Sequence, residues 1–89
     1  MTVRIPSAMR AATGGEGRVA VEGSTVDQAL RGLVERHPGV QGRLFDDAGA
    51  LRAFVNVFVD EEDIRFHQGL ATPVADGQTV SILPAVSGG

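Results

Sequence analysis

The chain has 89 residues, of which 43% are hydrophobic, and a formal net charge of −3. That length supports one compact domain and is too short for two, and the composition is that of a globular chain rather than a disordered one. The acidic balance argues against a nucleic-acid partner, and no stretch approaches the roughly 20 apolar residues that span a bilayer.

Val3 and Ile5 alternate with Thr2 and Arg4, which predicts a first strand that Pro6 limits. Residues 7–17 contain Gly14, Gly15 and Gly17 and read as a long hairpin loop. Val19 and Val21 alternate with Arg18, Ala20 and Glu22 in a second strand. Thr25 and Gln28 have the spacing of a capping box, and Asp27 sits in the first turn that follows. Val26, Leu30, Leu33 and Val34 then fall on one helical face, with Arg31, Glu35 and Arg36 on the other. His37, Pro38 and Gly39 end that helix.

Residues 40–45 read as a turn or brief helical piece that places Leu44 and Phe45 on the core, and Asp46, Asp47 and Gly49 mark another turn. Residues 52–60 carry the clearest strand pattern. Ala53, Val55, Val57 and Val59 share one face, and Phe54, Asn56 and Phe58 share the other. Residues 61–63 form an acidic turn, residues 64–66 a short edge strand, and residues 69–74 an irregular segment. Asp76 and Gly77 make a tight turn into a last strand over residues 78–83, with Val80 and Ile82 inward and Pro84 stopping the pairing. One helix and four or five strands, each with one apolar face, predict a two-layer α+β domain over residues 1–84, followed by a flexible tail, residues 85–89.

Side-chain catalysis finds little support. His37 ends a helix and His67 lies in a polar loop, with no metal-ligand spacing between them. The run Asp60 to Asp63 lacks the spaced ligands of a calcium loop and reads as a solvated turn or an electrostatic docking element. The glycines before residue 18 are not followed by the Lys-Ser or Lys-Thr of a phosphate loop. There is no cysteine, which excludes disulfides, zinc–thiolate sites and thiol nucleophiles. All eight basic residues are arginine, a bias that fits a GC-rich genome, so no side-chain amine can accept an isopeptide bond. The last five residues are different. Gly88 and Gly89 carry no side chains and can thread a narrow slot. Five extended residues reach at most about 17–18 Å. A plain frayed terminus is the competing reading.

The run ADGQTVSILPAVSGG, residues 75–89, resembles the ubiquitin-like β-grasp sulfur carriers of the thiamin and molybdopterin types, the ThiS/MoaD family. FVNVFVDEEDIRF (residues 54–66), GLATPVADG (residues 69–77) and IPSAMRAATGG (residues 5–15) are similar to its actinobacterial branch serving cysteine biosynthesis. Molybdopterin-type members usually have Pro-Pro where this chain has Pro84-Ala85. The resemblance implies a β-grasp fold with the first and last strands adjacent and parallel at the sheet centre. It implies that a separate ATP-dependent adenylating enzyme activates Gly89 and that a sulfurtransferase converts it to a thiocarboxylate. In the cysteine branch, the sulfur passes to an activated serine derivative on a PLP-dependent synthase, and a zinc metalloprotease releases the product. ATP, PLP and zinc belong to those partners, and no cofactor is expected on this chain.

Gly89 is therefore the expected reactive residue, Gly88 gives access to the slot, and Ala85, Val86 and Ser87 guide the tail along the partner. Phe54 and Phe58 either form an exposed docking patch, extended by Leu83, or belong to the core. The rival functions are the small subunit of a molybdopterin synthase, a ubiquitin-like protein modifier, and a plain interaction module.

Overall fold

The computed structural model describes residues 1–84, and the expected tail, residues 85–89, lies outside them. The strands are β1 (Thr2–Arg4), β2 (Arg18–Ala20), β3 (Val55–Val59), β4 (Glu62–Asp63) and β5 (Thr79–Pro84), and the helices are α1 (Val26–Arg36) and a single turn, α2 (Gln41–Leu44). The five strands form one mixed sheet in the order β2-β1-β5-β3-β4. β1 and β5 run parallel, with Val3 opposite Val80, and every other neighbouring pair is antiparallel. The expected central pairing of first and last strands is present.

The helix covers one face of this sheet. Thr25 Oγ1 accepts from the Gln28 amide at 3.2 Å, as the capping spacing predicts. Gln28 reaches back one residue further than expected: its Oε1 accepts from the Ser24 amide at 2.6 Å and from the Ser24 hydroxyl at 3.2 Å. Val26, Ala29, Leu30 and Leu33 are buried against Val3, Val57, Val80 and Ile82. Val34 is only half-buried, and Ala29 takes part of the core face assigned to it. The α1 terminus is at Arg36, and a 3₁₀ turn (Pro38–Val40) leads into α2, which buries Leu44 and Phe45. The Arg31 guanidinium, bound to Asp27 at 3.1 Å, lies 5.3 Å from the centre of the Phe45 ring.

Two segments differ from expectation. Residues 7–17 are not a plain hairpin loop, because Ser7–Thr13 forms a 3₁₀ helix that buries Met9 and Thr13. The Thr13 hydroxyl donates to the Glu16 carbonyl at 2.8 Å, with the Arg10 carbonyl also within reach at 3.1 Å, and Gly14 takes the left-handed conformation that ends the helix. The edge strand lies two residues early: β4 is Glu62–Asp63, and Ile64–Phe66 is a 3₁₀ turn. The reason is Asp63, whose carboxylate accepts from the Arg65 amide and turns the chain out of the ladder. Smaller shifts are the start of β3 at Val55, which leaves Ala53 outside the strand and exposed, and the extension of β5 through Pro84, opposite Val55.

Gly23 sets the approach of β2 to α1. It has φ +140°, and a Cβ there would lie 2.7 Å from Gln28 Cβ and 2.9 Å from Met1 Cε. Gly23→Ala should lower unfolding stability by about 1–3 kcal/mol through combined strain and overpacking, measured by urea denaturation.

Candidate functional site

The outer face of the sheet, away from α1, carries the apolar residues that the sequence singles out. Val55, Val57 and Val59 are buried beneath the sheet, so Asn56 and Phe58 face outward and are half-buried. Phe54 sits in the turn before β3, where the Val55 amide donates to the Arg52 carbonyl at 3.0 Å, and is 51% exposed. Leu83 is 48% exposed, opposite Asn56, and Phe58 stands opposite Ser81. Phe58 and Leu83 are therefore diagonal neighbours on one face. Both line a shallow groove that runs along the outer face from Asp60 and Glu61, beside the start of β5, past Arg4 to Pro6 and Arg10. None of the three residues belongs to the core, although Phe58 is covered more than a freely exposed ring would be. Ala85, Val86, Ser87, Gly88 and Gly89 lie outside the described residues.

The acidic run is built into the fold more than a solvated turn would be. Asp60 adopts φ 54°, in the left-handed region, and closes the β3–β4 turn. Its amide donates to the Thr79 carbonyl at 2.8 Å, while its carboxylate accepts from the Thr79 amide at 3.1 Å and from Gln78 Nε2 at 3.0 Å. Asp63 is 8% exposed and accepts from the Arg65 guanidinium at 2.6 Å and the Arg65 amide at 2.9 Å. The Arg65 side chain and backbone bonds together hold the Asp63 carboxyl below its ordinary pKa, against an opposing push from burial. Glu61 and Glu62 remain exposed.

The histidines show no catalytic arrangement among the described residues. His37 Nε2 lies 3.5 Å from Glu16 Oε2, and His67 Nε2 lies 2.6 Å from Glu62 Oε2. A groove beside His67 is lined by Glu62, Gln68 and Thr72, but the Thr72 hydroxyl is already committed, donating to Gly69 O at 2.7 Å and accepting from the Gln68 amide at 3.1 Å. Among the described residues no three His, Cys, Asp or Glu side chains are grouped to hold a metal ion. No described helix is long and apolar enough to cross a membrane. Sequence reading missed one exposed apolar residue: Phe66, taken as part of an edge strand, is 83% exposed at the end of the turn that Asp63 caps. The signal that marks such a turn is Asp63 itself, an aspartate able to accept from the backbone amide two residues on.

Comparison with known proteins covers nearly the whole molecule. The model of the ThiS family matches residues 3–89. The sulfur carrier protein CysO of Mycobacterium tuberculosis is 45% identical over 91 aligned positions, spanning 100% of this chain and 98% of that protein. A chain in the crystal structure of the Amycolatopsis orientalis BexX/CysO complex superposes with a TM-score of 0.91 at 45% identity, covering 99% of this chain and 98% of that chain. The crystal structure of SAMP1 from Haloferax volcanii superposes with a TM-score of 0.80 at 32% identity, covering 99% of this chain and 97% of that one.

The Asp63–Arg65 pair fixes a sign for pH dependence. A depressed folded-state pKa contributes stability that is complete above the unfolded value, near pH 4, and is lost as pH falls through the folded value. The stability gap between wild type and Asp63→Asn should be constant from about pH 5 to 7 and should shrink below about pH 4, read from urea midpoints across that range.

Proposed function

Because this chain belongs to the ThiS family, with the ubiquitin-like β-grasp fold of its relatives, we propose that it is a sulfur carrier acting through Gly89. The reading rests on one observation above others: the strand that leads to Gly88 and Gly89 is the central strand of the sheet. It is supported by the length over which CysO matches. The body then serves as a handle, held by hydrogen bonds on both sides of β5, while a partner works on the end group.

The chemistry follows from a carboxylate that is a poor acyl donor. The Gly89 carboxylate attacks the α-phosphate of ATP on an adenylating enzyme, and pyrophosphate leaves. The terminal sulfur of a persulfide on a sulfurtransferase then attacks the acyl carbon and AMP leaves, giving an acyl disulfide; a thiol of the partner attacks the sulfurtransferase sulfur of that bond, forms a disulfide with it and releases the Gly89 thiocarboxylate. No cysteine or lysine in the chain competes for the activated acyl group. The thiocarboxylate sulfur would then bond to Cβ of an activated serine derivative held by a PLP-dependent cysteine synthase, with loss of the activating group; shift of the Gly89 acyl group from sulfur to the α-amine would give an amide, and a zinc metalloprotease would hydrolyse it with water to free cysteine and restore the Gly89 carboxylate. In this scheme the chain is a co-substrate rather than an enzyme. It binds no cofactor, and ATP, PLP and zinc all stay with its partners. Gly88 passes through the slot, Ala85, Val86 and Ser87 line the path, and Phe54, Phe58 and Leu83 form the docking patch. The scheme places the protein in the cytoplasm.

A second reading, a protein modifier joined through Gly89 to lysines, is favoured by the likeness to SAMP1, the small archaeal modifier protein 1 of Haloferax volcanii. Isopeptide-linked adducts in host extracts would support it; an oxygen-to-sulfur exchange in intact mass, without such adducts, supports the carrier.

Deleting Gly89 should abolish carrier-dependent ATP–pyrophosphate exchange with the cognate enzyme, and Gly88→Val should lower kcat/KM by about 100-fold through misplacement of the carboxylate. Exchange that survives loss of Gly89 overturns the proposal.

A further inference from the structure

Arg4 and Arg18 stand directly opposite each other in the antiparallel β1–β2 pair, and both are exposed on the outer face of the sheet. Like charges in that position destabilise a sheet. Neither guanidinium makes a hydrogen bond or an ion pair with any described residue; Arg10, Arg31, Arg52 and Arg65 all bond to carbonyls or carboxylates of the fold, and Arg36 and Arg43, likewise without such bonds, do not lie opposite another cation in the sheet. Asp60 and Glu61 line the same shallow groove as the two arginines. The Asp60 carboxylate is already bonded to Thr79 and Gln78, and Glu61 does not come within ion-pair distance of either guanidinium. The two guanidinium groups are thus left without a contact partner, and Asp60 and Glu61 across the groove offset their mutual repulsion only through space.

The pair is also placed where a partner would meet it. The pairing registers set Arg18, Arg4, Ser81 and Phe58 in one row across four strands, with Leu83 one row nearer the end of β5. The row passes from two cations through a small hydroxyl to a half-buried ring. Gly89 is five residues beyond Pro84, a reach of at most about 17–18 Å. An enzyme that holds Gly89 in its active site therefore comes up against this end of the sheet.

We propose that Arg4 and Arg18 form a carboxylate-receiving patch, through which an acidic surface of the activating enzyme recognises the carrier and sets its orientation on the outer face. This rests on the sulfur-carrier reading above and deepens it by naming the partner's charge. On a chain of net charge −3, such a patch is opposite in sign to the whole molecule. Long-range repulsion then disfavours acidic proteins in general, while short-range attraction selects the one whose carboxylates fit the pair.

The test is carrier-dependent ATP–pyrophosphate exchange by the cognate enzyme at low and high salt, with wild type, Arg4→Thr/Arg18→Thr and Arg18→Glu. The expected result is a carrier KM raised about three- to tenfold in the double variant at low salt, more in the charge reversal, with a flattened salt dependence. The kcat and the KM for ATP should stay unchanged, and the urea midpoint of the double variant should be equal or higher, because the like-charge pair is gone. A purely structural role would not separate weaker docking from undiminished stability. An unchanged carrier KM, a loss that tracks a lower urea midpoint, or a raised KM for ATP, which would place the arginines on nucleotide phosphate, each overturns the proposal. Wild-type exchange that depends on Gly89 but is indifferent to both arginines sinks this proposal alone. Absence of Gly89-dependent exchange sinks the carrier reading with it.

Discussion

The parallel contact between β1 and β5 is the constraint on which the rest of the structure depends. Parallel neighbours cannot be joined by a tight turn, and here nearly the entire chain serves as the connection between Val3 and Val80. Both valines are fully buried, beneath Leu30 and Leu33 of α1. The helix is therefore the cover for the seam that joins the two ends of the chain. Closing so long a loop is entropically unfavourable until the apolar contacts form, and the inward pair of the seam, Val3 and Val80, is the most completely buried in the sheet.

On the proposed reading, two tasks that enzymes usually combine are separated, recognition falling to the body and reactivity to the end group. The described residues show no grouped metal ligands, and the polar groups near the histidines are bonded to the fold. What the body does offer is an outer face with a ring, an exposed leucine and two cations in register. A second protein can read those features without touching the core beneath, because strand alternation puts Val3, Val57 and Ile82 on the opposite side.

Much of this was legible in the amino-acid order. Strict alternation through residues 55–59 and 79–83 set the inward faces of β3 and β5, and the Thr25–Gln28 spacing located the start of α1. The 3₁₀ helix Ser7–Thr13 was not legible, because its period near three resembles neither an α-helical stripe nor a strand, and the glycines that follow it suggested an open loop. Asp63 misled for a related reason. An acidic residue in an acidic run reads as solvated, and only its bond to Arg65 accounts for its burial. The arginine pair escaped notice because it exists only through strand register, which places residues 4 and 18 side by side. The Gly-Gly ending was legible as a motif, while its placement lies beyond the described residues.

Asp60 gives the acidic turn a further meaning. By gripping the backbone of Thr79 and the side chain of Gln78, it fixes where β5 begins. A slip of one residue would turn Leu83 inward and Ile82 outward, and would lengthen or shorten the segment beyond the sheet by about 3.3 Å. The turn is thus the zero mark of a ruler for β5, and on the proposed carrier reading the length measured from it sets how deep into another protein the last glycine is placed.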